Sequence, residues 1–158
     1  VIGNGNYIMS AGHIAHNCTV GNDTVIASCA LIAGYVEIED QAFVSGGVGV
    51  HQYSKIGRLA MIGGGTRVNQ DAPPFFLYAG LYIEPKGLNI VGLRRAGFSR
   101  SDISALKRAF HLLYHAGLKL ADALVRIERE VPTEHTLHVV SFIRSSQRGI
   151  CRPGNRGE

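Results

Sequence analysis

Two histidines three residues apart, His13 and His16 in "AGHIAHNCTVG", are the first side chains along the chain that could move a proton or bind a metal. His51 and Gln52 follow in "GVHQYSKIG", and Tyr35 lies between the two groups in "LIAGYVEI". A neutral imidazole, with an unperturbed pKa of ~6.5, is suited to act as a general base near neutral pH. Zinc would instead require ligand nitrogens ~2.0–2.1 Å from a single point. A second histidine pair, His111 and His115, falls one helical turn apart in "KRAFHLLYHAG". No acidic ligand accompanies that pair, so we read it as exposed or packed against a helical cap, and we expect no metal site. The meaning of the first group depends on which edge of which element carries it.

The positioning elements are written in a six-residue period. Counting from Ile2, the residues at 8, 14, 20, 26, 32, 38, 44, 50, 56, 62 and 68 are all Ile or Val. The residue four places later is usually small, as at Gly12, Cys18, Thr24, Ala30, Ala42, Ser54, Ala60 and Thr66. Such a hexapeptide repeat marks a parallel β-helix, in which each hexad is a short strand and a turn and three hexads make one coil. The β-branched residue points inward and stacks on its counterpart in the next coil, and the small residue lets the chain bend.

Residues eighteen apart then share an edge. His16, Gly34 and Gln52 each stand third in their hexad and should form a ladder ~10 Å long at strand spacings of ~4.8 Å. Tyr35 and His51 flank it, and His13 ends the preceding hexad near the corner. The opening pair of histidines is therefore one rung of a polar column.

The repeat stops at "NQDAPPF", where Asp71 and the Pro73–Pro74 pair end strand pairing. An irregular connector over 73–97 follows. In "FSRSDISALKRAFHLLYHAG", Ser99 reads as an N-cap with Asp102 three later. Ile103, Leu106, Phe110 and Leu113 supply a helical face, and Gly117 is a suitable C-cap. Further helices are expected at about 120–131, ending at Pro132, and about 135–146. The chain thus divides into a β-helix at 1–72, a connector at 73–97, a helical domain at 98–150 and a disordered tail at 151–158. The repeat is already running at Val1, so we expect further coils upstream and read the chain as N-terminally truncated.

Composition narrows the function. Apolar residues make up 46% and charged residues 18% of the 158, which suits a packed protein and excludes a disordered one. No apolar run reaches the ~20 residues of a membrane span. Three cysteines, Cys18, Cys29 and Cys151, show no paired spacing and favour a reducing compartment, so we expect a cytoplasmic protein. The net charge of +4 favours acidic partners. Arg94, Arg95, Arg100, Lys107, Arg108, Arg144, Arg148 and Arg152 concentrate that charge in the helical part. Aromatics are not interleaved with them as nucleic-acid binding would require, so no nucleic-acid partner is expected.

Taken together, "SAGHIAHNCTVGN", "LIAGYVEI", "GVHQYSKIG", "MIGGGTRVNQDAPPF" and "GLNIVGLRRAGFSR" occur in an order and at spacings that resemble the UDP-N-acetylglucosamine acyltransferases of lipid A biosynthesis. The resemblance covers nearly the whole chain. It implies a left-handed parallel β-helix with a small α-helical C-terminal domain, assembled as a homotrimer. It also implies transfer of an (R)-3-hydroxyacyl chain from acyl carrier protein to the 3-hydroxyl of UDP-N-acetylglucosamine. No cofactor is expected, the acyl chain arriving on the phosphopantetheine arm of its carrier.

Residue by residue, the resemblance makes His16 the general base and Gly34 the donor of an oxyanion-binding N–H. It makes His13, Tyr35, His51 and Gln52 substrate-positioning residues. Gly64 is implied to line the far end of the acyl groove, and Asn89 and Arg95 to hold the nucleotide. The basic helical face is implied to dock the acidic carrier protein. Four positions depart from the pattern. Asn17 stands for a usual aspartate beside the base, Tyr35 for a histidine, Val91 for an acidic residue near the nucleotide, and Ala96 for the second of two arginines. Those departures leave open an aminated UDP-sugar as acceptor. An acetyl-CoA-dependent relative, a glucosamine N-acyltransferase or an inactive trimeric fragment would share the same β-helix. A γ-type carbonic anhydrase shares it too and would hold zinc on three histidines. Its candidates here, His13, His16 and His51, do not converge, because His51 lies two coils from His16.

Overall fold

The computed structural model describes residues 1–157. Eleven two-residue strands wind as a parallel β-helix. They are β1 (Tyr7–Ile8), β2 (His13–Ile14), β3 (Thr19–Val20), β4 (Val25–Ile26), β5 (Leu31–Ile32), β6 (Glu37–Ile38), β7 (Phe43–Val44), β8 (Gly49–Val50), β9 (Lys55–Ile56), β10 (Met61–Ile62) and β11 (Arg67–Val68). Every third strand pairs, so the coil is a three-sided prism. The first face holds β1, β4, β7 and β10, the second β2, β5, β8 and β11, and the third β3, β6 and β9. Registers advance by eighteen residues without slippage, as in His13 opposite Leu31 and Leu31 opposite Gly49. The second residue of each strand is the repeated Ile or Val, and from Val20 to Val68 all of these are buried.

The corners have their own period. Ala11, Asn17, Asp23, Cys29, Tyr35, Gln41, Tyr53 and Leu59 all have φ between 53° and 65°, and Gly5, Gly47 and Gly65 continue the series. Each is the third residue of a type II-like turn, a site that requires positive φ. For an L-residue that conformation costs roughly 1–2 kcal/mol. Coil-to-coil hydrogen bonds offset the cost. The Tyr35 N–H donates to His16 C=O at 3.1 Å, and the Tyr53 N–H to Gly34 C=O at 3.2 Å.

The helical part begins earlier than the sequence suggests. The segment expected to be an irregular connector carries β12 (Phe76–Ala79), β13 (Glu84–Leu88) and α1 (Ile90–Arg95). Strand β12 pairs parallel to β10 and so extends the first face, and β13 returns antiparallel to it. The prolines end the hexads but not the stacking, since β12 beyond them still pairs with β10. Then come α2 (Arg100–Tyr114), α3 (Leu120–Glu130) and α4 (Glu134–Ser145). Ser99 caps α2 in a reciprocal box with Asp102, and Thr133 caps α4 with Thr136. Helix α2 stops at Tyr114 with His115 as its C-cap, and Gly117 takes positive φ in the turn beyond.

Helices and prism share one core, in which Phe76 meets Phe110 edge to face with ring centroids 5.0 Å apart. Asp71, almost fully buried, ties the two parts together. Its carboxylate accepts from the Lys55 N–H at 2.8 Å and the Ser146 hydroxyl at 2.6 Å. Desolvation raises its pKa against those two hydrogen bonds and the nearby cations.

The tail is ordered by contacts the sequence does not announce. Ile150 bridges Asp71, and Cys151 is fully buried beside Tyr114, with burial pushing its thiol far above the usual range. The Asn155 amide donates to Asn69 Oδ1 at 2.9 Å and to Ile83 C=O at 3.1 Å. Gly157 rests against the Tyr82 ring. No helix among the described residues is long and apolar enough to cross a membrane.

Candidate active site

His16, Gly34 and Gln52 stand one above another on the second corner, between the second and third faces. At this corner His16 is exposed and Gly34 is buried. The imidazole lies directly over the glycine. A Cβ placed on Gly34 would come within 2.7 Å of His16 Cε1 and 2.9 Å of Nε2. Glycine is needed here for that close approach, not for its φ. The Gly34 N–H donates to no acceptor among the described residues, as expected for the second residue of this kind of turn. His16 Nδ1 lies 3.0 Å from Asn17 Oδ1. With the amide oxygen as acceptor, Nδ1 carries the proton and Nε2 presents its lone pair.

Aromatic rings continue the column. Tyr35 meets His16 edge to face at 5.3 Å and stacks on Tyr53 at 4.9 Å and 18°. Both tyrosines sit at the positive-φ turn position, which fans them outward from the corner. His51 is exposed, with Nδ1 3.2 Å from Gln52 C=O. That carbonyl also accepts from Arg148 Nη1 at 3.1 Å, and Arg148 donates through Nε and Nη2 to Asn69 C=O.

Beside this corner the second face bears a groove of about 700 Å³. His13, Ala15, Leu31, Ala33, Gly49, His51, Gln52, Arg67 and Asn69 line it, with Tyr82 and Gly157 at one end. His13 is thus a strand residue on the groove floor, where the sequence suggests a corner. Its register partners Leu31, Gly49 and Arg67 follow it up the face, and Tyr82 bridges Arg67 as the next rung. Leu31 is 57% exposed and Gly49 has nothing within 4 Å of a built Cβ, so the floor is apolar and open. The Arg67 guanidinium lies 5.8 Å from the Tyr82 ring centre and Nη1 is 3.4 Å from its hydroxyl.

The structure places six of the expected site residues on or beside one face: His13, His51 and Gln52 line the groove, and His16, Gly34 and Tyr35 contact one another on the adjoining corner. It sets the other three apart. Gly64 is exposed on the first corner, 3.5 Å (measured from a built Cβ) from the Gly46 carbonyl. Asn89 is buried and N-caps α1, accepting from the Gly92 N–H at 3.1 Å and donating to Leu59 C=O at 2.9 Å on the third corner. Arg95 ends that helix, exposed. Gly64 lies on the corner that borders His13 but at the level of Arg67, three rungs along the column, and Asn89 and Arg95 lie at the third corner, away from His16 and Gly34. Leu31, Gly49 and Arg67 are accessible to the eighteen-residue arithmetic applied to His13. Tyr82, Arg148 and Gly157 follow no period and arrive through tertiary packing. Among the described residues no three His, Cys, Asp or Glu side chains gather as a metal site would require.

A parallel β-helix with an imidazole over an unpaired glycine N–H, an apolar groove and a helical cap is the arrangement that the sequence resemblance leads one to expect of a hexapeptide-repeat acyltransferase. The profile described as UDP N-acetylglucosamine O-acyltransferase, domain 2, matches residues 71–151. An acyl-[acyl-carrier-protein]–UDP-N-acetylglucosamine O-acyltransferase of Burkholderia ambifaria is 50% identical over 157 residues, spanning 96% of this chain and 60% of its own length. Among solved structures, a UDP-N-acetylglucosamine acyltransferase of Bacteroides fragilis superposes with a TM-score of 0.90 at 37% identity, over 93% of this chain and 58% of that one. The Francisella novicida enzyme gives 0.92 at 33%, over 98% and 57%. The chain belongs to the UDP-N-acetylglucosamine O-acyltransferase family, and its solenoid is the left-handed β-helix with a helical C-terminal part. It spans about 60% of the length of the curated relatives it matches.

Proposed function

We propose that the chain carries the transfer site of an enzyme moving an (R)-3-hydroxyacyl group from acyl carrier protein to the 3-hydroxyl of UDP-N-acetylglucosamine. The observation that carries the reading is the His16 ring set over Gly34 at the edge of an apolar groove. The acyl chain lies in the groove and its thioester carbonyl faces the Gly34 N–H. His16 Nε2 takes the proton of the sugar hydroxyl as the oxygen attacks the carbonyl carbon. The Gly34 N–H donates to the resulting oxyanion. The intermediate collapses by breaking the C–S bond, and the imidazolium returns its proton to the departing thiolate. Asn17 orients the imidazole through Nδ1 without the compensating charge of a carboxylate, while Tyr35 supports the opposite edge. His13, His51 and Gln52 position the substrates around this centre. No cofactor enters the reaction.

Donor delivery fits the charge of the helical part. Arg108 and Arg144 are bound to Glu130 and Glu128, but Arg94, Arg100 and Lys107 have no carboxylate partner among the described residues. They line a cleft of about 620 Å³ with Phe98, Ile103 and Ser104. Such a field steers an acidic carrier protein. The separation of Gly64, Asn89 and Arg95 from the histidines supports assembly as a homotrimer, in which a neighbouring copy presents its corner to the groove. Three free cysteines suit the reducing cytoplasm as the place of action.

The full-length protein is to be incubated with 3-hydroxyacyl carrier proteins of graded length and radiolabelled UDP-N-acetylglucosamine. Acylated sugar nucleotide, abolished in His16→Ala, is the expected result. A wild-type protein active only on an aminated UDP-sugar would assign the acceptor instead to the analogue that Tyr35 and Val91 leave open. Activity on neither, or an undiminished His16→Ala variant, overturns the proposal.

A further inference from the structure

We propose that the C-terminal tail, residues 153–157, is the end wall of the groove and limits the length of the acyl chain it accepts; this rests on the groove being the acyl site. The Gly34 level and the Tyr82 level are three rungs apart, or ~14 Å at ~4.8 Å per rung. With C–C bonds of ~1.5 Å, an extended chain fills that span with roughly ten to twelve carbons. Tyr82 stands on the last rung of the column, and Gly157 lies against its ring so closely that a Cβ there would overlap the ring carbons.

The tail is fastened to reach this place. Asn155 bonds Asn69 Oδ1 on the groove side and Ile83 C=O next to Tyr82, and its own Oδ1 accepts from the Gly157 N–H at 3.0 Å. One asparagine side chain thus fixes both where the tail crosses the last coil and how Gly157 abuts the ring. Arg67 completes the wall from beneath, donating to the Tyr82 hydroxyl. Gly157 has φ of +82°, so a substituted residue would be strained there and would enter the space occupied by Tyr82.

The test uses the full-length protein, a variant lacking everything after Arg152, and Asn155→Ala. The truncation leaves Ile150 and Cys151 in place, and Asn155→Ala loosens the tail without shortening it. Calorimetry measures binding of non-reacting 3-hydroxyacyl-pantetheine thioethers of 10 to 18 carbons (on the order of the groove length above), and the transfer assay runs alongside. Both variants should gain tenfold or more in affinity for the longer chains relative to the wild type's best length, with little change for shorter ones. A wild type that transfers acyl groups, together with variants of unchanged length preference, overturns the end wall and leaves the transfer reading standing. A wild type that binds no chain of any length overturns both.

Discussion

Replacing Gly34 by alanine tests the central geometry with one methyl group. The new Cβ would lie 2.7 Å from His16 Cε1, where ordinary contact begins at 3.4 Å, so the ring must retreat by about 0.7 Å or more. The imidazole is exposed and can swing outward, so the fold absorbs the change. Gly34 has no positive φ to forbid alanine, and the substitution should stabilise the fold slightly or leave it within about 0.5 kcal/mol. Catalysis should not be so tolerant. A displacement of order 1 Å in a reacting group costs about 10²-fold, or ~2.7 kcal/mol of transition-state stabilisation. The expected result is kcat reduced by about two orders of magnitude with the melting temperature unchanged. A double-mutant cycle locates the cause. In a His16→Ala background, where kcat has already fallen by roughly 10²–10⁴, adding Gly34→Ala should have almost no further effect. A Gly34→Ala enzyme within threefold of wild type (on the order of 0.6 kcal/mol) would refute this reasoning. An undiminished penalty in the double mutant would move the damage from the imidazole to the approach of the thioester.

Three further outcomes follow from the same structure. Gly49→Leu puts a side chain into open groove floor, so binding of acyl chains should fall by tenfold or more while the thermal midpoint stays within a few degrees, as scored by calorimetry of the same thioethers. Gly64→Met should shorten the preferred acyl chain only in the assembled oligomer; a shift in a monomeric variant, compared by sedimentation and transfer assay, would show instead that the first corner reaches the groove within one chain. Asp71 has a folded pKa above its ordinary value of 3.8, so the folded state holds the proton more tightly than the unfolded one. Its contribution is therefore most favourable below 3.8 and is lost as pH rises through the raised value. The unfolding free energy of Asp71→Asn relative to wild type should thus increase from pH ~4 upward and then level off; a difference falling over that range in denaturant titrations would show the sign to be wrong.

The solenoid was legible because one residue type at one spacing specifies it. An inward Ile or Val every six residues fixes both the strand and its neighbour eighteen residues on, so the column of His16, Gly34 and Gln52 could be built by counting. The groove floor was equally accessible from His13 and its partners, but an exposed leucine and a glycine carry no chemical signal by themselves. Beyond Asp71 the period ends and counting fails. Strands β12 and β13 hold a glycine, a proline and charged residues, which obscure any alternation, and they form because β10 offers an unpaired edge. The tail holds through one asparagine amide and the packing of Cys151, and neither announces itself in a segment of Pro, Gly and Arg.

Three equivalent corners also bear on how much of the proposed site one chain can build. Each corner of the prism carries a column of turn residues between two faces, so a single coil meets a substrate from one side. His16 and Gly34 occupy the second corner, Gly64 the first and the Asn89 cap the third. A concave site must therefore come from outside the solenoid: a second copy laid against the face, or a segment folded back over it. The tail across Tyr82 is the second device already present in one chain, and it closes the groove at one end only. The long side remains open beside Leu31 and Gly49, and that is where a neighbouring copy would bring its own corner against the acyl chain. On this geometry a monomeric variant should keep the end wall and the length limit of the tail but lose most of its affinity for the chain, because one apolar side of the groove would still face water.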